Sequence, residues 1–233
     1  MTTIVLLPGM DGTGRLFEPL IAALGPAFSV LVVRYPEHEV LDYDSLAAIA
    51  RRSLPADGDF ILLGESFSGP IAVKLAASKP PGLVGLVLCC TFVRNPRPAL
   101  APARGLLRYA PVGLLPGAVL SALLLGRFAT ASLRAAVKSA VAMVADAVLK
   151  ERLNDVISVD MTAELSGLNI AVLYLQASHD SLVPAEAGRH IMEVYPRTQL
   201  LRLAGPHCLL QAAAADSAKA IQDFCVSLAG IGQ

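Results

Sequence analysis

A serine, an aspartate and a histidine that together could make an activated nucleophile stand at three separate places in the 233-residue chain. Ser66 lies in Gly64-Glu65-Ser66-Phe67-Ser68-Gly69, Asp180 in Ala177-Ser178-His179-Asp180-Ser181, and His207 in Ala204-Gly205-Pro206-His207. A serine hydroxyl attacks a carbonyl carbon poorly until a base takes its proton. An imidazole serves as that base when a carboxylate orients it and stabilises the imidazolium. The chemistry of such a set is acyl transfer. Ser66 attacks, His207 takes the proton and hands it to the leaving group, Asp180 holds His207, and a second nucleophile releases the acyl-Ser66. Water in that role makes an esterase, lipase or thioesterase; an alcohol makes an acyltransferase.

Few residues compete for these roles. The histidines are His38, His179, His190 and His207. His38 follows Tyr35-Pro36 in a surface-like loop and His190 falls inside a helical pattern, so both are expected to be solvated. His179 is expected to pack within its loop. His207 comes directly after the last apolar run, and Gly205-Pro206 shapes a loop there instead of a helix. The plain alternative for Asp180 is a turn or helix-cap carboxylate. Asp155 and Asp160 compete for the acid role but have no strand before them to position them.

The elements that must position these residues are short apolar strands alternating with helices. Apolar runs bounded by glycine and proline predict strands over Ile4–Leu7, Phe28–Val33, Phe60–Leu63, Leu83–Cys90, Ile170–Gln176 and Gln199–Leu203. Helical spacing predicts helices over Leu16–Leu24, from a cap at Asp44 or Ser45 to about Leu54, and from the Ser66 motif to about Ser78. Others are predicted over Ser132–Val156, Pro184–Val194 and Leu209–Leu228. Strands apolar on both faces and separated by helices imply a parallel sheet covered on both sides. Right-handed crossovers then bring the loops after the strands to one edge, where ligand sites lie. Ser66, Asp180 and His207 each follow a strand, so all three reach that edge. The small-x-Ser-x-small pattern is common in isolation; its place after Phe60–Leu63 gives it meaning, because a sharp strand-to-helix turn needs small neighbours. Gly64 meets that need, and Ser68 stands where a second glycine is usual.

The order Ser66, Asp180, His207 on alternating strands and helices resembles the α/β-hydrolase family, over the whole chain except one variable insertion. The predicted fold class is thus α/β, with about six mostly parallel strands and helices on both faces. Its core spans 1–91 and 169–233, and a helical cap is inserted at 92–168. The family often begins with an antiparallel hairpin; this chain starts at the strand that leads into the first site loop. In that loop, Leu7-Pro8-Gly9-Met10-Asp11-Gly12, Pro8 occupies a position where the family often has histidine. The resemblance implies an oxyanion hole made by the backbone N–H groups of Met10 and Phe67, each worth on the order of 3 kcal/mol. A phosphate cradle is the alternative for this glycine-rich loop, but it lacks a Walker lysine and Asp11 would repel phosphate. Leu7 to Gly14 also resembles the opening of plant plastid acyltransferases that esterify phytol, which keeps acyl transfer as the second reading. A serine nucleophile and the absence of tryptophan argue against haloalkane dehalogenase and epoxide hydrolase chemistry. A non-catalytic ligand-binding relative would be expected to have lost one of the three residues.

Composition narrows the partners. Hydrophobic residues make up 55% of the chain and charged residues 16%, and 19 lysines and arginines balance 19 aspartates and glutamates. With no basic excess and no tryptophan, no nucleic-acid partner is expected. Cys89, Cys90, Cys208 and Cys225 show no metal spacing and are expected to be buried, reduced thiols of a cytoplasmic protein. The start of the chain lacks the basic and apolar regions of a signal peptide. The chemistry needs neither a metal nor an organic cofactor. Ala110 to Gly126 carries no charge, yet Pro111, Gly113, Pro116 and Gly117 interrupt it, and it is short for a membrane span. It predicts an apolar cover in which Leu106, Leu114, Leu120 and Leu124 are candidate contacts for an apolar, small-molecule ester. The same apolar surface allows peripheral membrane contact through the cap.

Overall fold

The structure is a computed structural model that describes residues 2–103 and 116–231. The apolar runs form six strands: β1 (Thr3–Leu7), β2 (Ser29–Val32), β3 (Phe60–Glu65), β4 (Leu83–Cys89), β5 (Ala171–His179) and β6 (Thr198–Pro206). They lie in the order β2-β1-β3-β4-β5-β6, and every neighbouring pair is parallel.

Successive strand side chains point to opposite faces, and here both faces are apolar. Val5, Leu7, Leu62, Leu86, Leu88, Val172 and Tyr174 enter one core cluster. Ile4, Leu6, Ile61, Leu63, Val87, Leu173 and Leu175 enter the other. The first cluster is closed by α2 (Tyr43–Arg52), α3 (Gly69–Ala77) and α8 (Ala185–Val194), and the second by α1 (Glu18–Leu24) and α10 (Ala214–Ile231). This is the double-sided burial that the unbroken apolar runs require.

Several boundaries differ from the sequence expectation, each for a local reason. Helix α2 is capped by Asp42, whose carboxylate accepts from the Ser45 N–H at 2.9 Å, and not by Asp44 or Ser45. The long helix expected over Ser132–Val156 is two helices, α5 (Ala131–Ala142) and α6 (Asp146–Ser158). At the break, the Ala145 N–H leaves the helical ladder and donates to the Glu37 carbonyl at 2.9 Å. The last helix is likewise divided at Ala213 (φ −125°, ψ 47°) into α9 (Leu209–Ala212) and α10. Strands β5 and β6 run past their predicted ends as far as His179 and Pro206, so they carry the sheet into the site loops.

Between β4 and β5 the described part of the insertion holds α4 (Gly117–Leu124), α5, α6 and α7 (Thr162–Ser166). An isolated antiparallel bridge joins Arg94 to Asp160. Phe92, Val93, Val159, Leu165 and Leu168 belong to the same core cluster as the sheet, so both ends of the 92–168 segment are seated in its packing. Among the described residues no helix is long and apolar enough to cross a membrane. Leu106 and Leu114, two of the candidate substrate contacts, lie outside the described residues.

Candidate active site

Ser66 sits in a tight turn between β3 and α3 with φ of 49°, a left-handed conformation unusual for a residue with a Cβ. Such a conformation costs on the order of 1–3 kcal/mol and persists only where the surroundings impose it. They do so here. A Cβ on Gly64 would lie 2.7 Å from the Ser68 carbonyl oxygen and 2.8 Å from the Ala72 Cβ. A Cβ on Gly69 would fall 1.9 Å from Thr91 Oγ1. The two positions that cannot carry a side chain are therefore Gly64 and Gly69. Ser68 faces elsewhere: it is fully buried, its hydroxyl lies 2.9 Å from the Tyr35 hydroxyl, and it donates to the Pro8 carbonyl. The serine at the second-glycine position thus ties the Ser66 turn to the loop after β1. Thr91, two residues past β4, adds a tie by donating to the Ser66 carbonyl.

The three sequence candidates converge. Ser66 Oγ lies 2.8 Å from His207 Nε2, and His207 Nδ1 lies 2.9 Å from both carboxylate oxygens of Asp180. Donation from Nδ1–H to Asp180 leaves Nε2 free to accept the Ser66 proton. Asp180 is itself oriented by its loop, accepting from the N–H groups of Leu182 at 2.9 Å and Val183 at 2.8 Å. It therefore closes its own turn and holds the imidazole at once. The side chains of His207 and Asp180 are only 6% and 7% exposed, which shields their interaction from water.

The competitors stand apart. Asp155 is buried on α6, and Asp160 accepts from the Thr162 N–H at 2.9 Å. His38 is exposed. His190 is not solvated as expected: its side chain is mostly buried, with Nε2 3.5 Å from Thr162 Oγ1 and Nδ1 3.8 Å from a Glu193 oxygen. His179 is exposed, 2.7 Å from the Ser178 hydroxyl, with its ring tilted against Phe128.

The predicted oxyanion residues lie side by side through the sheet. Strands β1 and β3 are neighbours with Leu7 opposite Gly64, so the loop bearing Met10 runs beside the turn bearing Ser66 and Phe67. Met10 is within a turn closed by the Gly12 N–H on the Gly9 carbonyl at 3.0 Å. Phe67 is buried, stacked on Tyr43 at 4.7 Å, with its carbonyl accepting from the Tyr43 hydroxyl at 3.0 Å. Leu120 and Leu124 are half-buried against Leu125, Val137 and Cys208, beside the histidine loop. The Leu124 carbonyl accepts from the Cys208 N–H at 3.0 Å. Burial raises the Cys208 thiol well above its ordinary range, in keeping with a packing role. Among the described residues no group of three or more His, Cys, Asp or Glu is placed to hold a metal ion.

Two residues near the site had gone unassigned. Glu65, buried beneath Ser66, accepts from Gln211 Nε2 at 2.9 Å. Burial pushes its carboxyl up to about 7; the Gln211 bond opposes this, and the nearby Asp11 carboxylate adds to it. A charged residue at the buried end of an otherwise apolar strand was the available signal. Arg152 on α6 donates from Nη1 to the Met10 carbonyl at 2.7 Å and from Nη2 to the Pro36 carbonyl at 2.9 Å. Nothing in the local sequence marked it, because its partners are main-chain groups more than a hundred residues away.

Comparison with known proteins covers nearly all of this architecture. The alpha/beta hydrolase family model matches residues 4–220. Polyketide synthase ThaQ of Burkholderia thailandensis is 29% identical over 230 residues, covering 87% of this chain and 11% of that protein. Phytyl ester synthase 1, chloroplastic, of Arabidopsis thaliana is 31% identical over 109 residues, covering 43% of this chain and 16% of that protein. The chain thus spans well under a fifth of the length of either curated relative. Among solved structures, a lipase-esterase related protein from Clostridium acetobutylicum has the same fold, with a TM-score of 0.81 at 16% identity over 96% of this chain and 94% of that one.

Proposed function

The chain belongs to the alpha/beta hydrolase family, and from that premise we propose that it is a serine hydrolase cleaving a carboxylic ester with an apolar acyl or alcohol part. The observation that carries the reading is the unbroken hydrogen-bonded line from Asp180 through His207 to Ser66, at 2.9 and 2.8 Å. His207 Nε2 takes the Ser66 proton as Oγ bonds to the ester carbonyl carbon. The carbonyl oxygen becomes an oxyanion and is met by the N–H groups of Met10 and Phe67, each worth about 10²–10³ in kcat. Collapse expels the alcohol, which leaves with the proton from His207, and acyl-Ser66 remains. Water, deprotonated by His207, attacks the acyl group and regenerates the serine. Asp180 keeps the imidazole in one tautomer and stabilises its charged form. The mechanism uses no metal and no organic cofactor.

The apolar part of the substrate is assigned to the insertion, with Leu106, Leu114, Leu120 and Leu124 as its contacts. The half-buried Leu120 and Leu124 support this by packing on Cys208, next to the base. The cap is also the surface for any peripheral membrane contact. Free cysteines at positions 89, 90, 208 and 225 support a reducing, cytoplasmic setting. Acyl transfer to an alcohol is the second reading, favoured by the likeness to a phytyl ester synthase. It uses the same acyl-enzyme, as would a thioesterase.

A fluorophosphonate probe and a series of nitrophenyl esters of rising chain length, with and without a long-chain alcohol, test both readings. Wild-type protein should be labelled, and Ser66→Ala should lose labelling and at least about 10³-fold in turnover. Equal labelling of the two proteins would remove Ser66 from the mechanism. Ester formation outrunning hydrolysis when alcohol is added would favour the second reading.

A further inference from the structure

Among the described residues Arg152 has the largest side chain that is fully buried, with 1% of its surface exposed. Burying a charge is costly, and an apolar residue of similar volume fills a core position more favourably unless the charge has a task. Its two hydrogen bonds go to main-chain carbonyls of the site wall, those of Met10 and Pro36. The guanidinium also lies 6.0 Å from the centre of the Phe67 ring and 5.8 Å from that of Tyr35. Tyr35 is the residue bonded to Ser68 beside the nucleophile. A Cβ on Gly12 would fall 2.6 Å from Arg152 Nη1, so the loop is shaped around this cation. One side chain from the insertion therefore bonds to Met10 and lies over the ring of Phe67, the two residues proposed to form the oxyanion hole.

We infer that Arg152 is a positioning residue for the oxyanion hole, through which the seating of helix α6 sets the rate of acyl transfer. This rests on the serine-hydrolase reading above. Met10 sits inside a four-residue turn whose ends are joined by the Gly12-to-Gly9 bond. That bond leaves the central peptide free to rotate, and the carbonyl of Met10 belongs to that peptide. The fork of Arg152 holds it, and the planar guanidinium fixes it against Pro36 at the same time. The Met10 N–H belongs to the preceding peptide, which the Gly12-to-Gly9 bond holds through the Gly9 carbonyl. With the Arg152 bond added, both peptides that flank the Met10 Cα are fixed and the N–H keeps one direction. Misplacing a reacting group or donor by about 1 Å costs on the order of 10²-fold in rate.

The test uses Arg152→Met, which keeps bulk but loses both bonds, and Arg152→Lys, which keeps charge but cannot fork. For each, kcat and KM on a nitrophenyl ester are measured together with fluorophosphonate labelling rate and melting temperature. The affinity for a trifluoromethyl ketone, which forms an oxyanion on Ser66, is compared with that for the matching alcohol, which does not. Arg152→Met should lower kcat about 10–100-fold with KM changed less than about threefold. Ketone affinity should fall by the same factor as kcat/KM while alcohol affinity stays constant; Arg152→Lys should lie between it and the wild type. A merely structural role would lower the melting temperature without changing the ketone-to-alcohol ratio. Folded Arg152→Met with unchanged kcat and ratio overturns the inference. If that variant does not fold, an unchanged kcat and ratio in Arg152→Lys does so instead. Failure of wild-type protein to label at Ser66 would overturn the serine-hydrolase reading, and the inference with it.

Discussion

At Ser66 the sheet holds the main chain by close contact from several sides, whereas the inserted segment reaches the site loops through a few discrete hydrogen bonds and two small apolar clusters, Val144, Val148 and Leu149 beside Met10 and Leu125 and Val137 with Cys208. Around Ser66, an added methyl group at Gly64 or Gly69 would overlap its neighbours, and Thr91 and Ser68 lock the turn to the chain just past β4 and to the loop after β1. The insertion braces each loop separately. Arg97 donates to the carbonyls of Leu182 at 3.0 Å and Ser181 at 2.7 Å, beside Asp180. The Leu124 carbonyl holds the Cys208 N–H beside His207, and Arg152 holds Met10. A strained turn inside close packing has one position, because dense interiors do not deform continuously. A loop held by one or two bonds and a small apolar cluster has neighbouring positions within reach. The main chain at Ser66 is thus fixed by the sheet, and the loops of Met10, Asp180 and Cys208 are tied to the insertion.

Three substitutions separate what the sheet contributes from what the insertion contributes. Asp180→Asn should leave the melting temperature nearly unchanged while lowering kcat about 10³–10⁴-fold, because an amide favours the wrong imidazole tautomer. A wild-type rate would hand the acid role to Asp155 or Asp160 and take one loop out of the comparison.

Glu65→Gln probes the sheet side through stability. The carboxyl of Glu65 stands near 7 in the folded protein against an ordinary value of 4.5. Between those values the unfolded chain gives up the proton first. The stabilisation from the protonated form is therefore complete below about pH 4.5 and is lost as pH rises through about 7. The loss amounts to at most about 3 kcal/mol. Urea unfolding at pH 5 and pH 8 should show Glu65→Gln gaining on the wild type at the higher pH. Equal differences at both pH values would mean that Glu65 is ionised within the fold throughout.

Arg97→Ala should have the smallest effect. The residue is exposed, its partners are carbonyls that water can serve, and kcat should fall less than about fivefold. A loss as large as that of Asp180→Asn would show that the insertion grips the acid loop as firmly as the sheet grips Ser66.

The sheet and the three converging residues were legible because both rest on patterns of side-chain type. Unbroken apolar runs report two-sided burial, as in β3 and β4, and Ser66, Asp180 and His207 each follow a strand, although β6 before His207 carries Gln199 and Arg202 and is partly exposed. What stayed hidden depends on main-chain partners. The break at Ala145 carries no glycine or proline; it follows from the Glu37 carbonyl, which no helical periodicity near Ala145 could reveal. Arg152 reads as an ordinary helix cation until the carbonyls of Met10 and Pro36 are brought to it. Asp42, Asp44 and Ser45 offer the same capping chemistry within four residues, and only the backbone angle at Asp42 singles it out. The role of Ser68 was read as smallness alone, since a hydroxyl's partner on another loop leaves no local trace.

The pairing of β4 with β5, from Gly85 opposite Ala171 to Cys89 opposite Leu175, joins segments that the whole of residues 90–170 separates in the chain. The entropy of closing such a loop grows only with the logarithm of its length, so doubling or halving it shifts stability by about 0.6 kcal/mol. The remaining strand pairs are indifferent to what the loop contains. Variation in length and content can therefore accumulate there while the fold stands, and a new cover can be exchanged for the old as a unit. At the site loops, a replacement would need a donor for the Met10 carbonyl, an acceptor for the Cys208 N–H and a hold on the loop of Asp180, besides the apolar ends that seat it in the core. Under the proposed function, a cover that keeps those contacts could differ in the substrate it admits while Ser66, His207 and Asp180 stay in place.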